Sequence, residues 1–220
     1  MDRRLIWFFA LLIPVMVWSW IAPHDRFTWW LEAGPVLVAA GLIVALRARF
    51  PLSTLLLALA WIHCVVLLVG AHYTYALVPA FDWLREVTDG TRNNYDKLGH
   101  FTQGLVPAIL TREILLRTSP LRDRGDGKPS RWLGFVVVSV CLAFSAFYEL
   151  IEWWVAELSG EGTESFLGTQ GYVWDTQSDM AWALGGALGA VWVLKGIHDR
   201  SLAKVLAARA GIGQSEHFAQ

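Results

Sequence analysis

Charge is what this 220-residue chain has least of: 17% of its residues are Asp, Glu, Lys or Arg, where soluble domains carry about a quarter. So few charges cannot cover a water-exposed globular surface, which excludes an ordinary soluble domain. Cysteine is scarcer still. Cys64 and Cys141 both sit inside apolar runs, so neither a disulfide framework nor a cysteine-built zinc site has support. The net charge is −1 and the basic residues are scattered among loops with no continuous stripe, which excludes nucleic acid as a partner. No glycine-rich segment is followed by the Lys and Ser or Thr of a phosphate-binding loop. An internal repeat of useful length is also missing, so an inverted-repeat transporter is not indicated.

What the chain has instead is apolar sequence in long blocks: 55% of its residues are hydrophobic and 13 are tryptophan. Six blocks approach the roughly 20 residues a helix needs to cross about 30 Å of hydrocarbon, at about 5–21, 27–46, 52–70, 98–116, 132–158 and 180–197. The first follows Arg3 and Arg4 as a secretory signal would. It is longer than a signal's apolar core and ends in "WSWIAPH" without a small-residue cleavage site, so it reads as a retained anchor. In the fourth, Thr102, Gln103, Thr111, Arg112 and Glu113 lower the hydropathy and Pro107 interrupts the hydrogen bonding, which neighbouring helices can tolerate by burying it. The expectation is an all-α, polytopic transmembrane bundle of about six spans over residues 1–200, followed by a tail over 201–220. "LGGALGA", with Gly185 and Gly189 four apart, is expected to pack helices closely.

Arginine and lysine give the orientation. The N-terminal "DRR", "RAR" at 47–49, the connector 117–131 and the tail after Lys195 fall on one side of a six-span chain, the cytoplasmic side by the positive-inside rule. Both termini and the 201–220 tail are then cytoplasmic. Segments 23–26, 71–97 and the acidic 159–175 fall outside. Trp18, Trp20, Trp29, Trp30, Trp153, Trp154 and Trp174 collect at the same outer level, where amphipathic rings are favoured.

That outer level also holds the ionisable residues. His72 ends the third span, Asp96 and His100 open the fourth, Glu149 and Glu152 lie in the fifth, and Asp175 and Asp179 precede the sixth. Asp96 and His100 are four apart, Glu149 and Glu152 three, Asp175 and Asp179 four, so each pair shares one helix face. A carboxylate in a membrane costs at least about 2.5 kcal/mol, so five at one depth need a common partner. A divalent cation is one such partner, since bundles build metal sites from inward-facing Glu, Asp and His. The metal ligands would be His72, Asp96, His100, Asp175 and Asp179, and the donor set suits zinc, magnesium, manganese or iron. Internal pairing with Arg92, Lys97 and protonated histidines is the other solution.

At these residues the chain resembles a known family. "GAHYTYALVPAFDWL", "RNNYDKLGHFTQGLVPAILTREILLR", "SAFYELIEWW" and "LGTQGYVWDTQSDM" are similar, in this order and over nearly the whole chain, to the YjdF-like family of bacterial inner-membrane proteins. The resemblance implies a multi-pass inner-membrane protein whose signature residues include His72, Tyr73, Asp96, His100, Glu149, Glu152, Gln170, Asp175 and Asp179, and it brings no established activity. More distantly, "DKLGHF", a glutamate-bearing helix and "WDTQSDMAWALGGALGA" look like the arrangement of VanZ-like membrane proteins, with Ala183 where that pattern has asparagine. That resemblance points toward the cell envelope and lipid-linked chemistry.

The functional expectation is metal-assisted hydrolysis of a lipid or lipid-linked phosphate, with membrane lipids as partners. Glu149 and Glu152 are the candidate catalytic carboxylates, and Arg92, Lys97, Tyr73 and Gln170 are placed on the substrate side. A proton- or cation-coupled carrier would need polar groups continuing to the cytoplasmic half, and there only Thr111, Arg112 and Glu113 continue. A non-catalytic scaffold would pair the charges internally. Acyl transfer through Ser145 or Ser178 lacks both a nucleophile elbow and an assignable third residue.

Overall fold

The computed structural model describes residues 2–159 and 169–217. Among them every regular element is helical: α1 (Arg3–Trp20), α2 (Arg26–Leu46), α3 (Thr54–Tyr73), α4 (Pro79–Val87), α5 (Tyr95–Thr118), α6 (Trp132–Ser159), α7 (Asp175–Trp192) and α8 (Lys195–His217), with a 3-10 turn at Pro120–Arg122. The first part of the acidic stretch expected at 159–175, residues 160–168, lies outside the described residues.

Each early helix starts where the sequence offers a cap. Asp2 accepts the amide of Arg4, Asp25 that of Thr28 at 2.6 Å, and Ser53 that of Leu56 at 3.3 Å, each satisfying a donor the first turn leaves unpaired. Four helices, α1, α2, α3 and α6, are individually long and apolar enough to cross a membrane. A fifth such unit is the pair α7 and α8, which is bent by 64°. The charged residues of α5 keep it off that count, yet its 24 residues have the length, and it packs against α3, α6 and α7. Pro107 leaves it continuous.

Two apolar clusters hold the bundle. Leu5, Phe8, Leu12, Trp29, Val36 and Leu68 join α1, α2 and α3, and Leu56, Val106, Ile109, Val137 and Ala187 join α3, α5, α6 and α7. The α5–α7 crossing is tighter than side chains allow. A Cβ on Gly104 would overlap the carbonyl oxygen of Ala183, and one on Gly186 that of Phe101, so these backbones meet only because both residues are glycine. The expectation placed close packing at Gly185 and Gly189, and the structure corrects it. Gly185 has nothing within 4 Å of its Cβ direction, while Gly189 meets only Leu105 at 3.9 Å. The phase of α7 puts the intervening Gly186 on the contact face.

At the end of α5 away from its Asp96 turn, a second polar cluster lies buried. Glu113, wholly inaccessible, accepts from Arg117 at 3.0 Å and from the backbone amide of Ser53 at 3.1 Å, and stands 3.3 Å from His198. Arg112 pairs with Asp199 at 2.7 Å and meets the other nitrogen of His198 at 2.7 Å. The polar continuation foreseen through Arg112 and Glu113 is thus closed on itself, joining α3, α5 and α8. The sixth block also ends earlier than its expected limit at 197: α7 stops at Trp192, and α8 docks through His198, Leu202 and Val205 instead of beginning a free tail at 201. Glu113→Ala is expected to cost about 3–5 kcal/mol, since it leaves Arg117, His198 and the Ser53 amide buried without that acceptor. The check is denaturant-driven unfolding of the purified variant in detergent.

Candidate functional site

The α5–α7 crossing sets "DKLGH" against "WDTQSD". Lys97 Nζ lies 2.6 Å from Asp175 Oδ1, 2.6 Å from Asp179 Oδ1 and 3.3 Å from Asp96 Oδ2. Arg92 adds bonds of 2.6 Å to Asp175 and 3.4 Å to Asp96. His100 places Nε2 3.2 Å from Asp96 Oδ1 and 3.8 Å from Asp179 Oδ1. Its Nδ1 is 2.9 Å from the amide oxygen of Gln103, which can only accept, so Nδ1 carries the hydrogen. In the neutral ring Nε2 then offers its lone pair toward the two aspartates. One ligand atom each from Asp96, His100 and Asp179 lies within 4.8 Å of the others, and all three residues are buried. This N,O,O set fits a divalent cation with open positions, and Gln103 supplies the outer hydrogen bond that fixes a metal-binding imidazole.

Charge counting leads the same way. Asp96, Asp175, Asp179, Glu149, Glu152 and Glu32 face two permanent cations, Arg92 and Lys97. In a low-dielectric interior that surplus needs protons or a bound cation. Glu149 carries a further sign: its Oε1 is buried, 3.8 Å from His100 Nδ1, and has no hydrogen-bond partner.

Other residues from the expected set are placed differently. His72 does not reach the cluster: its Nδ1 lies 3.1 Å from the carbonyl oxygen of Ser19 and its ring stacks on Trp18 at 4.5 Å. Tyr73 packs edge-on against His72, beside α1. The cause is helix phase, because the last turn of α3 turns these two toward α1 while Gly70 faces α5 across the ring of Tyr75. Gln170 spends its amide on backbone, accepting from Asn93 N at 2.9 Å and donating to Asn93 O at 2.8 Å, so it clamps the loop before α7 to the start of α5. The ring of Tyr172 lies 5.4 Å from the Arg92 guanidinium and 5.8 Å from Lys97. Arg92 and Lys97 are occupied in balancing aspartates.

Asp96, His100 and Glu152 also line a cavity of about 760 Å³ between α2, α3, α5 and α6. Three residues that sequence reasoning missed stand with them: Glu32 from α2, Tyr75 and Tyr148. Glu32 is 5% exposed and lines the cavity together with Tyr75. An ionisable residue in the middle of "WWLEAGPV" was the available signal. Tyr75 is wedged between Gly70 and Gly99, where any Cβ would strike its ring, and its φ of 53° follows a left-handed Thr74 at 57°. Away from this polar end the cavity wall is mostly apolar, with His63 along it and Arg49 and Thr118 at the far end.

The family described as "Predicted membrane protein (DUF2238)" matches residues 4–200. The "Inner membrane protein YjdF" of Escherichia coli (strain K12) is 47% identical over 191 residues, which covers 87% of this chain and 88% of that protein. No solved structure matches. The likeness to VanZ-like proteins rests on motif order alone.

Proposed function

The chain belongs to the DUF2238 family of multi-pass inner-membrane proteins, and we propose that within it this protein is a metal-dependent hydrolase of a lipid or lipid-linked phosphate. The carrying observation is that Asp96 and His100 open into a cavity whose remaining length is lined mostly by apolar side chains, the shape and polarity of a site for an amphiphile. In this reading α5 and the bent α7–α8 unit complete six spans, both termini face the cytoplasm, and the Asp96 end faces outward, as the distribution of arginine and lysine supports.

Asp96, His100 and Asp179 would hold the cation, and His100 is oriented by Gln103. A divalent cation there would supply Lewis acidity and a more acidic water. Glu152, which lines the cavity beside the two ligands, accepts the proton of the attacking water and returns it to the leaving oxygen as the P–O bond breaks. Glu149 lies on the other side of His100 near Thr176 and acts on the ligand set rather than on substrate. Lys97 and Arg92 hold Asp175 and Asp179 in place.

The test is phosphate release from a panel of lipid phosphates by detergent-purified protein loaded with zinc, manganese or magnesium. Turnover that is lost with chelator and with Glu152→Gln is expected. Metal-free protein with no turnover under any loading would sink the proposal. A second reading then takes its place, favoured by the two 2.6 Å contacts of Lys97: a charge-paired polar network in a non-catalytic membrane scaffold. A proton- or cation-coupled carrier is less well supported, because the cluster around Glu113 is self-paired and the cavity wall between the two polar ends is mostly apolar, its one histidine, His63, bonded to the carbonyl of Thr102.

A further inference from the structure

The cavity's dimensions narrow the substrate beyond "a lipid". Its polar end is formed by Glu32, Asp96, His100 and Glu152, and its far end by Arg49, Phe50 and Thr118. Asp96 and Thr118 stand 22 positions apart on α5, about 33 Å at 1.5 Å per residue. A single leaflet offers only about 15 Å, half of the roughly 30 Å hydrocarbon core. Spread over that length, 760 Å³ makes the space long and narrow, the shape of an extended hydrocarbon chain. At the far end the Arg117 guanidinium lies 3.4 Å over the ring of Phe50. Along one side the wall residues Leu42, Leu110, Ile114 and Phe144 are 37–54% exposed, so the groove is open toward lipid between α2 and α6 and a chain can enter sideways.

We infer that this groove holds one hydrocarbon chain longer than a leaflet, with its phosphate head at Asp96, His100 and Glu152, so that the ligand is a polyprenyl phosphate and not a diacyl phospholipid. The head-group half of the inference rests on the proposed metal, because a phosphate among carboxylates needs a bridging cation. The chain half rests on the groove alone. A diacyl lipid, whose chains each reach about one leaflet, would leave about half of the groove unfilled.

The experiment measures binding of undecaprenyl phosphate, geranyl phosphate and dioleoyl phosphatidic acid to the full chain in nanodiscs, with metal content determined on the same samples. Ala39→Trp, which fills the groove at mid-depth on α2, and Leu110→Trp, which fills it from α5, are the variants. Undecaprenyl phosphate is expected to bind at least about tenfold more tightly than either competitor, and both variants are expected to lose that preference while keeping the wild-type metal content. Equal binding of dioleoyl phosphatidic acid, or a preference unchanged in well-folded Ala39→Trp and Leu110→Trp, overturns the inference. Long-chain preference in a protein without metal or turnover upholds the groove and overturns the hydrolase reading, so the two failures are separate.

Discussion

His100→Ala and Asp179→Ala are each expected to lose the proposed cation and the proposed lipid phosphate hydrolysis, while Gln103→Ala weakens both in a graded way. The ligand set contains three protein donors, so removing one leaves two on a site that still has Lys97 2.6 Å from Asp179 or 3.3 Å from Asp96. Two donors do not outcompete that ammonium for the remaining carboxylate oxygens. Gln103 acts one step further out, through the hydrogen bond that keeps His100 Nε2 facing the aspartates. Loss of such an outer partner costs about 10–100-fold in metal affinity, so Gln103→Ala belongs between wild type and the ligand variants. Elemental analysis of the purified proteins, with affinity from competition against a chelating dye, gives the order directly. A cation retained in both His100→Ala and Asp179→Ala would place the metal elsewhere, and wild type without metal would leave the charge-paired network as the reading of this site.

The helical membrane architecture and much of this site are legible in the sequence because both are short-range. Asp96 and His100, and Asp175 and Asp179, are i and i+4, and such pairs share a face whatever else the helix touches. Position along the helix is legible too, which is how His72 entered the expected ligand set. Rotation about the helix axis is not, and rotation turns His72 to Ser19 and Trp18. Glu32 escaped for the opposite reason, since it is a single carboxyl group without a spaced partner in an apolar helix. The cluster around Glu113 depends on the bend after Trp192, where "VL" carries no proline to mark it. His198 therefore reads as part of the cytoplasmic tail after Lys195, although in three dimensions it is wholly buried.

The same distinction governs the largest structural effect expected here, that of Gly104→Val and Gly186→Val. Both glycines are met by backbone carbonyls of the opposing helix, Ala183 for the first and Phe101 for the second, and a carbonyl inside a helix cannot swing aside as a side-chain tip can. Overpacking against yielding side chains costs about 1–3 kcal/mol, so these two substitutions are expected to exceed about 3 kcal/mol. For a chain of this size that is a fall in melting temperature of at least about 6–12 °C. Gly185→Val and Gly189→Val are the matched controls, with the same chemistry one to three residues away and space at both Cβ positions. They are expected to melt near wild type. The consequence reaches the site, because the crossing is what holds Lys97 and His100 against Asp175 and Asp179. Any folded fraction of Gly186→Val should therefore lose metal, whereas Gly185→Val should keep it. Thermal melts in detergent paired with metal content decide the matter: Gly186→Val behaving like Gly185→Val would mean that the two helices do not meet at Gly104 and Gly186, and that the ligand set is assembled some other way.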